Sequence, residues 1–222
     1  LNVYAQEAAQ KAATNGIENI ESWYKSLKEK KEKGKRLEVA LISADPTTGY
    51  IEALVGGRQY KRSQFNRAIQ SHRQIGSIVK PAIYLTALEV GSDEGRPFQP
   101  ISLLDDTRFT YEYEGQSWSP RNYDGKHFDV VPMYFALSHS LNSATARLGL
   151  KVGLDEIIET LAAMGLENSP DSLPSLTLGA IELSPFEVLQ LYTTLASLGT
   201  YRRLTLIRQI ESLDGEILFK HS

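Results

Sequence analysis

Residues Ala82-Ile83-Tyr84-Leu85-Thr86-Ala87-Leu88 are apolar on nearly every side of a helix. Such a helix is stable only with protein packed around all its faces, so the chain must fold about it. Directly before it stands Arg73-Gln74-Ile75-Gly76-Ser77-Ile78-Val79-Lys80-Pro81. Residues three apart share a helix face, so Ser77 Oγ and Lys80 Nζ could meet. A polar pair at the head of a buried helix is costly unless it is satisfied or used. Pro81 is tolerated in a first helical turn, which sets Ser77 at or next to the N-terminus. There the helix dipole favours negative charge developing on a bound carbonyl. Proline also disfavours the α conformation at Lys80, so an irregular first turn is expected. A serine hydroxyl is a weak nucleophile, and a lysine amine kept neutral by burial can take its proton. The plainer alternative is a capping serine with a surface lysine.

The serine–lysine spacing recurs at Ser22-Trp23-Tyr24-Lys25, where it leads into Lys28-Glu29-Lys30-Lys31-Glu32-Lys33, a solvated face. The chain has 222 residues, 41% of them hydrophobic, enough to bury a substantial core. With 24 basic and 27 acidic residues, nothing points to a nucleic-acid partner. The absence of cysteine excludes disulfide frameworks, thiolate-rich zinc sites and cysteine nucleophiles, and fits an oxidising compartment. No signal peptide or membrane span is present, and the start at Leu1 reads as an excised piece of a longer protein.

In chain order, residues 2–16 read as a helix stopped by Gly16, and residues 17–36 as a polar connector. Residues 37–43 and 50–55 read as antiparallel strands joined across Asp45-Pro46-Thr47-Thr48-Gly49. Residues 91–128 are rich in glycine, proline and aromatics, as in segments that line clefts. Within them, Trp118-Ser119-Pro120-Arg121-Asn122-Tyr123 reads as a loop anchored by a buried tryptophan, or else as a groove wall. Val131 opens a second apolar helix, which runs to a polar break at Ser138-His139-Ser140-Leu141-Asn142-Ser143. That break either aims Ser140 and Asn142 at the Ser77 cleft or is a serine-capped turn between helices. Helices are expected over residues 144–150, over 155–164 with an Asp155 cap, and from Ser184-Pro185-Phe186-Glu187 to about Leu198. A hairpin around Asp214-Gly215 follows. His72, His127, His139 and His221 are scattered, and no phosphate loop or metal-ligand spacing is present.

Taken together, these segments resemble the transpeptidase domain of class A, high-molecular-weight penicillin-binding proteins, the bifunctional peptidoglycan synthases. Gln74 to Pro81 is similar to the family's first motif and Ser140-Leu141-Asn142 to its second. Phe65-Asn66-Arg67-Ala68, Trp118 to Asn122, Leu178-Gly179-Ala180 and Ser184 to Glu187 support the likeness, which covers nearly the whole chain.

The resemblance implies an α+β fold, an antiparallel sheet flanked by helices, of the penicillin-binding/serine β-lactamase kind. Residues 1–36 would be an N-terminal helix and charged connector, and residues 37–222 the transpeptidase domain without its C-terminal part. The family's third motif, lysine-serine/threonine-glycine on a strand, is absent from the sequence, so the chain is expected to stop short of it.

The activity implied is D,D-transpeptidation, which cross-links D-Ala-D-Ala stem peptides of peptidoglycan through a serine acyl-enzyme. Ser77 would be the nucleophile, Lys80 the base, Ser140 a proton relay, and Asn142 the residue orienting Lys80; Trp118 and Asn122 would bind substrate. β-Lactams would acylate Ser77. No metal or cofactor is implied. The parent would carry an upstream glycosyltransferase domain and an N-terminal membrane anchor, and would work at the outer face of the inner membrane. The alternatives are a D,D-carboxypeptidase or β-lactamase-like hydrolase, and a non-catalytic module binding β-lactam or peptide.

Overall fold

The computed structural model describes residues 1–27, 36–91 and 97–220. The chain divides into two compact units, residues 1–72 with 183–222, and residues 73–182. The fold is α+β, as expected, and its antiparallel strands pair in two-stranded ladders between helices. No helix among the described residues is long and apolar enough to cross a membrane.

In the first unit, the helix Val3–Trp23 starts at Asn2, whose side chain accepts the Tyr4 and Ala5 N–H groups. It does not stop at Gly16. Ala9, Ala13, Ile17 and Glu21, four apart, form one buried stripe. Continuing that stripe outweighs the ~1 kcal/mol cost of an interior glycine. Residues 17–23 of the expected connector are therefore helical, while Lys28 to Lys33 lie outside the described residues.

Ser22 sits near the end of this helix with its hydroxyl on the Asn19 carbonyl, an ordinary helical serine. Glu21 is 3% exposed and accepts from Arg58 at 2.6 Å and from the Leu37 N–H at 3.1 Å. This buried ion pair ties the helix end to the segments flanking the strands. Leu41–Ala44 and Ile51–Val55 pair antiparallel, with Leu41 opposite Val55. Ile51, Ala53 and Val55 point inward, and Ala9 and Ala13 pack on Ala53 and Val55. Pro185–Ala196 begins with the full capping box read from the sequence: Ser184 Oγ accepts the Glu187 N–H, and Glu187 accepts the Ser184 N–H. The terminal hairpin pairs Gln209–Glu211 with Ile217–Lys220.

The second unit is built around Lys80–Val90, whose residues Ala82, Ile83, Tyr84, Thr86 and Ala87 are buried. Asn142–Val152 and Leu154–Ala163 pack against it. Thr86 Oγ1 bonds Thr160 at 2.8 Å, so the polar residues inside this interface are paired. The second apolar helix begins at Met133 rather than Val131, because Val130–Pro132 is a strand paired with Leu103–Asp105. Pro132 fits there, at the last strand residue and the helix cap. Leu154–Ala163 is capped by Gly153 and not by Asp155, which instead accepts from Ser172 Oγ at 2.9 Å. Trp118 ends the hairpin of Tyr111–Tyr113 with Gln116–Trp118. It is half-buried and not a core anchor, standing edge-on to Phe109 at 6.5 Å.

Candidate active site

Gly76–Val79 is a turn of 3-10 helix, and the α-helix proper starts at Lys80, so the irregular start expected from Pro81 is present. The turn is pinned to a second loop, with the Ile75 N–H on the Ile181 carbonyl at 3.1 Å and the Gly76 N–H on that of Gly179 at 3.0 Å. Both glycines have positive φ, +56° at Gly76 and +75° at Gly179. A Cβ on Gly179 would stand 2.0 Å from the Gly76 carbonyl oxygen, so only glycine permits this approach. Ser77 is exposed, whereas Lys80, three residues on, is 1% exposed.

The second segment arrives at the corner between Met133–Ser138 and Asn142–Val152. Ser140 has φ +52°, a strained conformation for a residue with a Cβ. Lys80 Nζ donates to Ser140 O at 2.7 Å, Ser140 Oγ at 3.1 Å, Leu141 O at 3.3 Å and Asn142 Oδ1 at 2.7 Å. Ser140 Oγ in turn bonds Ser77 Oγ at 3.0 Å. The three groups therefore form one line, Ser77–Ser140–Lys80. The sequence spacing suggested direct contact of Ser77 with Lys80; among the described residues the link runs through Ser140.

Burial lowers the Lys80 pKa from 10.5 to about 8, against the opposing pull of the Asp106 carboxylate. Taking the ammonium out of water disfavours its charged form. The Leu141 carbonyl also accepts from Thr145 Oγ1 at 2.6 Å, and Thr145 is bonded to Tyr84 OH at 3.0 Å. Burial raises the Tyr84 pKa to about 12, so this phenol stays neutral within the core.

Ser77, Lys80, Ser140 and Asn142 are thus brought together within one unit. Asn122 lies beneath them, 5% exposed. Its Oδ1 accepts the Asn142 N–H at 2.6 Å and the Ser143 N–H at 3.2 Å. Its Nδ2 donates to Asp106 at 2.8 Å and to the Lys126 carbonyl at 2.9 Å. Its side chain therefore braces the corner from below. Asn142 Nδ2 donates to the Arg121 carbonyl at 2.7 Å, which fixes the amide so that its oxygen faces Lys80. The sequence reading missed Asp106 and the Gly76–Gly179 approach; the second of two adjacent aspartates, Asp105-Asp106, carries no local sign of complete burial.

A serine, a second hydroxyl and a buried amine in one hydrogen-bonded line can activate the serine without histidine or metal. The sequence profile described as the penicillin binding protein transpeptidase domain matches residues 39–221, and the chain belongs to that family. It is 40% identical over 189 residues to penicillin-binding protein 1B of Vibrio cholerae, covering 84% of this chain and 24% of that protein. It is 39% identical over 223 residues to penicillin-binding protein 1B of Haemophilus influenzae, covering all of this chain and 27% of that one. The chain thus spans about a quarter of the length of these curated relatives. The crystal structure of penicillin-binding protein 1A from Haemophilus influenzae superimposes with a TM-score of 0.75 at 32% identity, over 83% of this chain and 27% of that one. PonA1 of Mycobacterium tuberculosis, solved with penicillin V, shares the fold with a TM-score of 0.76 at 22% identity, over 99% of this chain and 56% of that one.

Proposed function

We propose that this chain forms part of a serine D,D-transpeptidase that cross-links peptidoglycan stem peptides within a class A penicillin-binding protein. The observation that carries the reading is the continuous line Ser77–Ser140–Lys80, with Asn142 Oδ1 on the lysine. Ser77 Oγ attacks the carbonyl carbon of the penultimate D-alanine. Its proton passes to Ser140, whose own proton passes to neutral Lys80. The hydrogen bonds of the protonated lysine run the other way along the same line, so the relay needs only a reversal of hydroxyl orientation. When the tetrahedral intermediate collapses, Ser140 gives a proton to the departing D-alanine amine and is reprotonated from Lys80. The Ser77 N–H, in the first turn of its 3-10 helix, is an oxyanion donor. The amine of a second stem peptide then attacks the acyl-enzyme and forms the cross-link, releasing Ser77. A β-lactam acylates the same hydroxyl.

Residues 37–222 would be the transpeptidase part, a division supported by the family match over 39–221. The resemblance supports an upstream glycosyltransferase domain and membrane anchor in the parent, with the site on the outer face of the inner membrane. Labelling of the full-length protein with a fluorescent penicillin tests the reading. Labelling is expected at Ser77 and is lost in Ser77→Ala; equal labelling of that variant would overturn the assignment.

A further inference from the structure

The helix Asn142–Val152 starts without a cap from its own chain neighbourhood: Leu141 occupies the cap position and contributes no side-chain bond. Its leading N–H groups are satisfied from a distant segment instead. Asn122 Oδ1 takes those of Asn142 and Ser143, and Asp106 Oδ1 takes that of Ala144 at 3.1 Å. Asp106 Oδ2 holds Asn122 Nδ2 at 2.8 Å and the Phe128 N–H at 3.0 Å. Asp106 is 0% exposed, and among the described residues no cation lies in direct ion-pair contact with it. A neutral asparagine or serine cap would cost less to bury than this carboxylate. The charge therefore calls for an explanation beyond capping, and the cation it acts on is Lys80.

We propose that Asp106, acting with Asn122, is a positioning residue for acyl transfer: it caps the Asn142–Val152 helix from outside, holds the Ser140–Asn142 corner on Lys80, and supplies a negative charge that favours the ammonium formed there. The proposal rests on the Ser77 acyl-transfer reading. During acylation a proton moves from Ser77 towards Lys80, so positive charge appears on the lysine as negative charge appears on the oxyanion. A fixed carboxylate behind the corner favours that ammonium without occupying any of its acceptor positions. The bonds from Asp106 to Asn122, from Asn122 to the Asn142 N–H, and from Asn142 to Lys80 form one rigid path, 2.8, 2.6 and 2.7 Å in turn.

Other titratable groups surround this path. Tyr84, on the lysine's own helix, is bonded to Thr145. His127 Nδ1 lies 2.9 Å from the Asp106 carbonyl oxygen and 3.3 Å from Ser143 Oγ. His139 is stacked on Phe135. On the helices packed against Lys80–Val90, Arg147 and Lys151 lie over the Phe109 and Phe98 rings, and Leu154–Ala163 carries Asp155, Glu156 and Glu159. Asp106 is the one among them whose charge acts on Lys80.

The test is the acylation rate constant of the full-length protein with a fluorescent penicillin, followed across the Lys80 titration, with melting temperature recorded for each variant. Asn122→Ala cuts the path and keeps the charge: a loss of about 10- to 100-fold is expected with the acidic arm of the pH profile in place. Asp106→Asn removes the charge: the rate falls and the acidic arm moves to lower pH, because the group that raised the Lys80 pKa is gone. A merely structural Asp106 would lower the rate without moving the arm, and that result overturns the proposal. So does a wild-type rate in Asn122→Ala, which decides the matter if Asp106→Asn does not fold. Equal labelling of Ser77→Ala refutes the acyl-transfer reading instead, an outcome independent of either variant.

Discussion

Replacing Gly179 by alanine tests how closely the position of Ser77 depends on one backbone contact. The added Cβ would fall 2.0 Å from the Gly76 carbonyl oxygen, 2.6 Å from its carbon and 2.7 Å from its Cα. All three atoms are backbone, so no flexible side chain can yield. Ordinary contact begins at 3.4 Å, so the Gly76 peptide must retreat by about 1.4 Å. Ser77 is the next residue and moves with it. The φ of +75° adds a further penalty of about 1–2 kcal/mol for any residue with a Cβ. A displacement near 1 Å in a reacting group costs about 100-fold in rate. The expected result is therefore penicillin acylation of the full-length protein slowed about 100-fold, with a melting temperature lowered by only a few degrees. Ser77→Ala serves as the blank, and the acylation rate constant is read by gel fluorescence against time. A Gly179→Ala protein that acylates at the wild-type rate refutes the argument that this approach sets the serine.

Acylation should rise with pH and level off above about 8, because Lys80 must lose its proton to act as base and burial has brought its pKa there; a rate independent of pH across that range would exclude Lys80 as the base. Glu21→Ala removes the carboxylate from the Arg58 guanidinium, leaving it the Leu37 carbonyl, and should cost about 3 kcal/mol in denaturant unfolding, since removing one partner of a buried pair is severe. Ser184→Ala breaks the capping box of Pro185–Ala196 and should cost about 1 kcal/mol in the same measurement, leaving acylation unchanged.

Much of the site was legible because its parts are local signals. Pro81 announced the irregular turn, and the all-round apolar run after it announced a buried helix. Ser184, Pro185 and Glu187 named a helix start that the structure reproduces bond by bond. What the sequence hid depends on tertiary partners. Gly16 looked like a stop because the stripe through Ile17 and Glu21 has meaning only once a strand lies beneath it and Arg58 reaches Glu21. Ser140 could be read as an ordinary turn, since nothing in its neighbours shows that Lys80 will donate to its carbonyl and hydroxyl. Asp106 and Asn122 bond a helix start that lies 20 or more residues further along, beyond the reach of any local pattern.

Among the described residues, the oxygens that receive the Lys80 amine all come from residues 140–142. A growing chain that has made its first motif but not yet docked that distant corner leaves the amine in water, protonated at neutral pH as any free lysine is. If Ser77 and Lys80 act as proposed, the serine would then have no proton acceptor and would stay inert towards esters and lactams. On the proposed acyl-transfer reading, reactivity would be a late product of folding, and covalent capture by penicillin would count only molecules whose remote segments have already closed on one another.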